Sequence, residues 1–223
     1  SKGKTIFLSA EQIKNIKTFS AVKNVSLVAE EKALLQNGEA QTVVFLKGVD
    51  DNYAKVSGVP QKMLNGNFKT GTADEPLLIL GAGIENAVGA QSDRALSPLT
   101  VFLPKKVSSV SSDPSESLSE GNAYSSGSFA IQQDFDNKYV ITNLEFVKQQ
   151  MNFKPDEYSA VEINVADIDK MEDARNNLQS YLGNACTVQT KYEQNTSLYS
   201  SMKLEKWAIY AVLTLILIIA GFN

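Results

Sequence analysis

A glycine-rich segment superficially resembles a dinucleotide-binding turn. The apolar run Leu77–Leu80 leads into Gly81–Gly83, as such a turn requires. However, Asn86 occupies the third glycine position, and we predict that the following helix ends near Gly89, too soon to cross a parallel sheet. No acidic residue follows about 20 positions on, where ribose binding would need one. We therefore interpret the glycines as a tight strand-to-helix turn and expect no cofactor.

A second glycine-flanked segment, Gly66–Gly71, contains the Lys-Thr pair of a phosphate loop. In that loop a glycine stands immediately before the pair and another stands five residues upstream of it. Phe68 and Met63 occupy these two positions here. The chain therefore carries no recognisable nucleotide-hydrolysis motif of its own.

Paired carboxylates and a lone thiol are the remaining groups that could do chemistry. Asp134 and Asp136 lack the glycine and the distal glutamate of a calcium loop, so a turn is favoured over a metal site. An enzyme that uses only carboxylates, such as Asp134 with Asp136 or Glu162, is the least favoured alternative. We predict that Cys186, in a strand without a cationic sequence neighbour, is a buried small hydrophobe.

Composition excludes several other classes. The 223 residues include no histidine, which removes histidine-dependent catalysis and histidine-ligated zinc. One cysteine cannot form an internal disulfide. The net charge is −4, and only Arg94 and Arg175 of the 21 cationic residues are arginine. Binding to nucleic acid and recognition of anions are therefore not expected.

The segment Trp207–Phe222 is uncharged over 16 residues. As a helix it would be roughly 24 Å long, short of the roughly 30 Å hydrocarbon layer. Every helical face is apolar, whereas a surface helix would carry a polar stripe. We predict that residues 204–223 begin a transmembrane helix truncated by the end of the chain at Asn223. The alternative is a buried core helix.

The residues just before this segment fit a membrane boundary. Charged side chains are followed by an aromatic residue of the kind that lies at the membrane interface. We predict that Glu205, Lys206 and Trp207 couple the folded domain to the membrane helix.

The two ends of the chain show a similar order of elements. We predict β-α-β-β for the first end, with Ser9 and Gln12 as a capping box and Asn37-Gly38 as a hairpin turn. At the far end, an alternating strand over Ser159–Val165 precedes a helix that Asp169 caps with Glu172 and that Gly183 terminates. A strand over Cys186–Tyr192 completes β-α-β.

Together these ends predict an α+β fold with a discontinuous split-βαβ, ferredoxin-like subdomain formed by residues 1–66 and 156–203. Residues 67–155 would be an inserted, mixed, β-rich subdomain. Within it we predict four strands, a short helix near Ile84–Val88, and a second short helix that Thr142 caps with Glu145 and that ends near Met151. The predicted strands are Leu77–Leu80, Leu99–Leu103, Ser128–Gln132 and Tyr139–Ile141.

Ten of the 22 residues from Val107 to Ser128 are serine, and the segment contains no cation. So polar a stretch buries little apolar area, which favours a mobile surface loop. The alternative is a hairpin tip that orders on a partner. The candidate partner-binding residues are Ser108, Ser112, Asp113, Glu116 and Glu120.

Several motifs resemble those of LolC/LolE-type permeases, to which MacB-type and FtsX-type proteins are related. Met202–Trp207 resembles the basic approach to the second membrane helix, and Ala220–Asn223 resembles its closing motif. Leu80–Ile84 resembles a turn at the start of the family's insertion. Gly127–Phe129 followed by Asp134–Asp136 resembles its Gly-x-Phe and acidic strand pair.

The resemblance implies an extracytoplasmic domain between the first two membrane helices of an ABC transporter permease in the bacterial inner membrane. A Porter-type subdomain would be formed by both chain ends, and a Sabre-type subdomain would be inserted between them. Such permeases dimerise and recruit a separate cytosolic ATPase, so the domain would transmit motion and would not be a catalyst. The cargo, a periplasmic protein or a lipoprotein, stays open because the serine-rich segment lacks an apolar hook. The alternative is a membrane-tethered sensor or adhesion ectodomain with one span.

Overall fold

The computed structural model describes residues 5–92, 97–105, 118–184 and 186–194. By its internal contacts the chain divides into two compact units, Ser1–Ile168 and Asp169–Asn223. Within the described residues the first unit combines a large sheet with short helices, so the predicted mixture of α and β structure is confirmed.

The first end of the chain follows the predicted β-α-β-β order. Its elements are β1 (Ile6–Phe7), α1 (Ala10–Thr18), β2 (Val22–Asn37) and β3 (Ala40–Val49). The predicted capping box is confirmed, since the Ser9 hydroxyl accepts from the amide of Gln12 and the Gln12 side chain accepts from the amide of Ser9. The hairpin turn also lies where it was predicted, with Gly38 at φ 59°. This left-handed conformation favours glycine.

The middle of the chain alternates strands with short helices. Its elements are α2 (Tyr53–Val56), a 3₁₀ turn (Val59–Lys62), β4 (Met63–Gly66), β5 (Leu77–Gly81), α3 (Ala82–Val88), β6 (Leu99–Pro104), β7 (Leu118–Phe129), α4 (Gln133–Asp136), β8 (Tyr139–Asn143) and α5 (Leu144–Met151). Two further strands complete the first unit: β9 (Glu157–Tyr158) and β10 (Ala160–Val165).

The strands form one large sheet in the order β10-β2-β3-β8-β5-β7-β4, and β6 pairs with both β2 and β7. The pairings therefore close into a ring through β2, β3, β8, β5, β7 and β6. Strand β1 lies apart from this sheet and pairs with β9. The proposed subdomain boundaries stay a prediction, and the sheet runs across them because β3 pairs with β8.

The two faces of the sheet are covered differently. On one face, α5 packs so closely on β3 that a Cβ on Gly48 would lie 2.8 Å from Val147. On the other face, Tyr53 and Val59 pack with Val28 and Val49 in a core cluster of buried residues. Both layers remove apolar side chains from water, which is the main favourable contribution to folding.

The serine-rich segment is partly a strand, so the prediction of a loop over residues 107–128 is wrong from Leu118 onward. Residues 106–117 lie outside the described parts of the chain. In β7 the buried positions include Ser119 and Ser125, whose hydroxyls donate to the carbonyl of Leu103 and to the hydroxyl of Ser92. Serine can be buried at these positions because its hydroxyl finds a partner there.

Two predicted helix caps are also corrected. Thr142 does not cap α5, because it is still part of β8 and its side chain is fully buried. Instead, the side-chain oxygen Oδ1 of Asn143 accepts from the amides of Glu145 and Phe146 at 2.9 and 3.2 Å. Asp169 does not cap the next helix, because it lies within a 3₁₀ turn that precedes it.

The second unit contains α6 (Met171–Leu182), which Gly183 terminates as predicted, and α7 (Lys191–Gln194). The predicted strand over Cys186–Tyr192 is wrong. The Gln179 side chain bonds the carbonyl of Cys186 and the amide of Val188, which are groups that a strand would offer to a neighbouring strand. Thr190 and Glu193 then form a reciprocal cap that begins α7.

The glycine-rich turn after β5 is explained by close packing. A Cβ on Gly81 would lie 2.2 Å from the carbonyl oxygen of Asp136, and one on Gly83 would lie 1.7 Å from the Asn137 side-chain oxygen. These two glycines let the start of α3 approach the end of α4. The structure thus gives them a packing role that needs no phosphate.

We predict that Gly81→Ala destabilises the domain by about 1–3 kcal/mol, because the clash is with backbone and forces a shift. The matched control is Gly58→Ala, where an added Cβ would have no atom within 4 Å. Urea unfolding of both variants measures the difference. Equal midpoints for the two would contradict the packing role.

Candidate functional site

The most unusual group in the first unit is a lysine in the middle of the sheet. Lys47 lies in β3 within an otherwise apolar stretch, and only 9% of its side chain is exposed. Its ammonium donates to Glu162 of β10 and lies 3.9 Å from Glu30 of β2. The ammonium of Lys47 on β3 thus interacts with carboxylates on both β2 and the edge strand β10, so it connects three adjacent strands.

Two aromatic rings and two carboxylates set the electrostatics of this cluster. The ammonium of Lys47 lies 5.3 Å from the ring centre of Tyr53 and 5.9 Å from that of Tyr139. Burial alone would lower the pKa of Lys47, but Glu162, Tyr53 and Glu30 together raise it above its usual value. The lysine therefore stays charged.

Glu30 behaves differently from Glu162. Burial raises the pKa of Glu30, and the opposing attraction of Lys47 only partly offsets this. The geometry agrees, because Glu162 accepts the hydrogen bond from Lys47 while Glu30 lies beyond hydrogen-bonding distance. Glu162 is thus the main partner of the lysine.

Polar contacts hold β10 at both ends as well. Before the strand, the Ser159 hydroxyl accepts from the amide of Glu30 at 2.8 Å and donates to its carbonyl at 3.2 Å. Near the end of the strand, the Asn164 amide donates to the carbonyl of Lys55 at 3.2 Å. We call Ser159, Glu162 and Asn164 the β10 anchors.

The first described residues are held close to the start of β10. Ile6 pairs with Tyr158 in the small sheet of β1 and β9, and Thr5 donates to the fully buried Glu157 at 2.7 Å. The strand that follows β9 leads to the second unit. The N-terminal strand β1 is therefore paired with β9, which directly precedes β10 in the chain, although β10 belongs to the large sheet.

The contacts of Lys47 and of the β10 anchors are made within the first unit. The charge of Lys47 is used by its own carboxylate partners, and hydrogen bonds along β10 join that strand to β2 and β3. Side-chain contacts as well as backbone pairing therefore connect β10, β2 and β3.

The residues predicted from the sequence lie in different places. Glu205, Lys206 and Trp207 are outside the described residues, as are Ser108, Ser112, Asp113 and Glu116. Glu120 is described: it is exposed on β7, opposite Phe102 of β6. The structure does not bring it near the β10 anchors in the strand order.

The remaining chemical candidates have structural roles. Asp134 and Asp136 lie in the short helix α4 and not in a simple turn, and Asp136 accepts from the amide of Ile131 at 2.8 Å. In the ranges that the structure describes, no group of three potential ligands could hold a metal ion. Cys186 is buried as predicted, and burial raises the pKa of its thiol.

The lysine cluster was missed at the level of sequence. The available indication was Lys47 itself, a charge inside the apolar run Val43–Val49, because a buried lysine requires a charged partner. Its partners lie 17 and 115 residues away along the chain, and nothing in the local pattern points to them.

Comparisons with known proteins agree with this fold. Over 197 residues, the chain is 25% identical to the lipoprotein-releasing system transmembrane protein LolC of Xylella fastidiosa strain Temecula1. The alignment covers 87% of the chain and 45% of LolC, so the chain spans less than half the length of this relative. No family model matches the sequence.

Two solved structures share the fold. The extracellular domain of the noncanonic ABC-type transporter YknZ from Gram-positive bacteria has a TM-score of 0.57 at 15% identity, covering 82% of this chain and 90% of that one. The periplasmic region of MacB from Actinobacillus actinomycetemcomitans has a TM-score of 0.51 at 13% identity, covering 80% and 81%.

The resemblance to the extracytoplasmic domains of LolC- and MacB-type permeases is confirmed. The domain's β10 anchors lie in the part of the fold that precedes its C-terminal unit. Among the helices of the described residues, none has the length and apolar character needed to cross a bilayer. The predicted span over 204–223 lies outside them.

We predict that Glu162→Gln lowers the free energy of unfolding by about 1–2 kcal/mol, because it leaves the buried Lys47 without its main charged partner. The value is below that of a fully buried pair, since 34% of the Glu162 side chain is exposed. Glu30→Gln is the control and should be neutral or slightly stabilising. Urea denaturation at neutral pH compares the two, and an equal loss in both would contradict this division of roles.

The raised pKa of Glu30 predicts a pH dependence. A carboxyl whose pKa is higher in the folded state binds protons more readily when folded, so stability is gained as the pH falls through that window. Any advantage of Glu30→Gln over the natural chain should therefore shrink as the pH is lowered from neutral toward the usual pKa of a glutamate. Chemical denaturation across this range measures it. An advantage that grows on acidification would show that the pKa is lowered instead.

Proposed function

We propose that this chain is the extracytoplasmic domain of an inner-membrane ABC transporter permease. In this proposal the domain lies in the periplasm and couples a separate cytosolic ATPase to work outside the cytoplasm. The observation that carries the proposal is the alignment with LolC over most of the chain, together with the fold shared with the MacB and YknZ domains.

The domain would act as a binding and motion-transmitting module and not as a catalyst. The β10 anchors support this role, because they fix the strand that leads to the C-terminal unit onto the central strands of the sheet. A shift of β10 would thus move β2 and β3 with it, since local slippage of β10 would require breaking these polar contacts.

The subdomain assignment belongs to this proposal. Residues 1–66 and 156–203 would correspond to a Porter-type subdomain, and residues 67–155 to a Sabre-type insertion. The capping box of α1 and the long β2–β3 hairpin support the first part, since they match the predicted β-α-β-β order. The work performed would be lipoprotein release or mechanotransmission-type export.

The partners follow from the same proposal. The permease would function as a pair of subunits, with an ATPase that carries the phosphate loop absent from this chain's sequence. Glu205, Lys206 and Trp207 would form the junction between the folded domain and the second membrane helix. Trp207 would serve as an interfacial anchor there, as tryptophan does at membrane boundaries.

We predict that Trp207→Ala uncouples ATP hydrolysis from movement of the extracytoplasmic domains. The full-length permease and its ATPase would be studied in lipid nanodiscs, with labels attached at Glu11→Cys in a Cys186→Ser background. Glu11 is exposed on α1, so the label should not disturb the sheet. Hydrolysis should continue, while the nucleotide-dependent change in distance between the two labels should fall several-fold.

Trp207→Tyr is the matched control, because tyrosine also occupies membrane interfaces and should preserve the movement. An unchanged distance response in Trp207→Ala would contradict the anchoring role. A labelled pair that does not respond to nucleotide even with Trp207 present would contradict the proposed function. Finding a single span and a cytosolic output domain in the full-length protein would favour the sensor alternative.

A further inference from the structure

We infer that the open face of the four strands β3, β2, β6 and β7 docks onto the same face of a second copy of this chain. This four-strand face carries Val43, Leu34, Phe102 and Glu120, one residue from each strand. The register places them in a continuous row, since Val43 pairs with Leu34, Leu34 with Phe102 and Phe102 with Glu120.

The face is apolar at its centre and exposed to solvent. Val43 is 66% exposed and Leu118, which follows the same face of β7, is 48% exposed. Leu34 and Phe102 are partly exposed between them. Apolar side chains that adjoin across several strands are typical of an interaction surface.

The other face of the same four strands is fully covered. Leu35 and Val101, which alternate with the exposed residues, are buried, and α5 contacts all four strands. On the open face, Tyr53 and its neighbours pack over Val49 and reach as far along β3 as Lys47. Beyond that residue, Val43 and its neighbours have no packing layer above them among the described residues.

Charges flank the apolar centre in a self-complementary way. Lys32 of β2 is exposed, and its ammonium lies 5.6 Å from the ring centre of Phe45. Glu120 of β7 is exposed on the opposite side of Phe102 and has no ion-pair partner within the described ranges. A basic side and an acidic side on one face are complementary under a two-fold rotation, which places the basic side of one copy against the acidic side of the other.

A two-fold axis parallel to the strands, between β2 and β6, satisfies these requirements together. It sets β2 over the second copy's β6 and β3 over its β7, so that Leu34 faces Phe102, Phe45 faces Leu118 and Val43 faces the stem of Glu120. Lys32 then lies one strand and one row from the second copy's Glu120, and the two long side chains can extend toward each other across the roughly 10 Å between packed sheets. Symmetry forms each contact twice.

The expected pairing is weak in isolation. Four strands and three rows of side chains cover on the order of 400 Å² on each copy, so the total is below the roughly 1,200 Å² of stable complexes. Two domains held in one permease pair would have an effective concentration in the mM range, which favours such a contact. The assumption that two domains are held in one permease pair rests on the proposed function, whereas the complementarity of the face follows from the structure alone.

The test uses the full-length protein in membranes without nucleotide. Chains carrying Leu34→Cys and chains carrying Phe102→Cys, both in a Cys186→Ser background, are co-expressed and treated with a short bifunctional maleimide. A maleimide is needed because packed sheets lie about 10 Å apart, too far for a disulfide. We expect the mixed pair to cross-link at least fivefold more than chains carrying only Glu11→Cys.

Charge reversal separates this interface from general misfolding. Lys32→Glu and Glu120→Lys should each reduce the cross-linked fraction at least fivefold, because each places like charges opposite one another. The double variant should restore it to within twofold, while thermal melting of all three stays the same. Yields no higher than the Glu11→Cys control, or a double variant as weak as the single ones, would overturn the inference.

The outcome is independent of the test of the proposed function. Cross-linking in the absence of nucleotide requires only that two copies meet, whereas the proposed function requires a nucleotide-dependent change in distance. Cross-links without that change would retain this interface and reject the transporter role. A nucleotide-dependent change in distance without cross-links would retain the transporter role and reject this interface.

Discussion

The interaction between Lys47, Glu162 and Glu30 constrains much of the first unit. A charge in the interior of a sheet is tolerated only with a partner, so β10 must lie where Glu162 can reach Lys47. That requirement fixes the register of β10 on β2 and sets the position of the strand from which the second unit continues. Because the ion pair spans three strands, it joins elements that backbone hydrogen bonds connect only in neighbouring pairs.

The same lysine marks a boundary on one face of the sheet. On one side of it, Tyr53 and the residues around it cover Val28 and Val49. On the other side, the hairpin formed by β2 and β3 continues beyond that cover and exposes Val43. One face therefore serves two purposes: part of it builds the core, and the remainder is available to another molecule. The ring of strand pairings includes both parts, because β2 and β3 contribute residues to each.

Local chemistry could be predicted where it depends on residues a few positions apart. The Ser9–Gln12 capping box, the turn at Gly38, the buried strand before Gly81 and the helix end at Gly183 all have this property. The wrong predictions share another property. Composition favoured a loop over β7, but Ser119 and Ser125 are buried there because their hydroxyls find acceptors on Leu103 and Ser92, which are distant in the sequence. Polar and apolar residues alternate over Cys186–Tyr192 as they would in a strand. However, the Gln179 side chain hydrogen-bonds the Cys186 carbonyl and the Val188 amide, so these groups do not pair with another strand.

The amino-acid sequence by itself determined the class of this protein: a mixed α and β domain, without histidine chemistry or a phosphate loop, that resembles the outer domains of LolC-type permeases. It could do so because composition, caps and short motifs are properties of neighbouring residues. Only the tertiary structure decided which strands meet, that Lys47 is bound by Glu162, and that Val43, Leu34, Phe102 and Glu120 form one row. Those relations join residues far apart in the chain, and they exist only once the sheet has brought the backbone of each strand into register with the next.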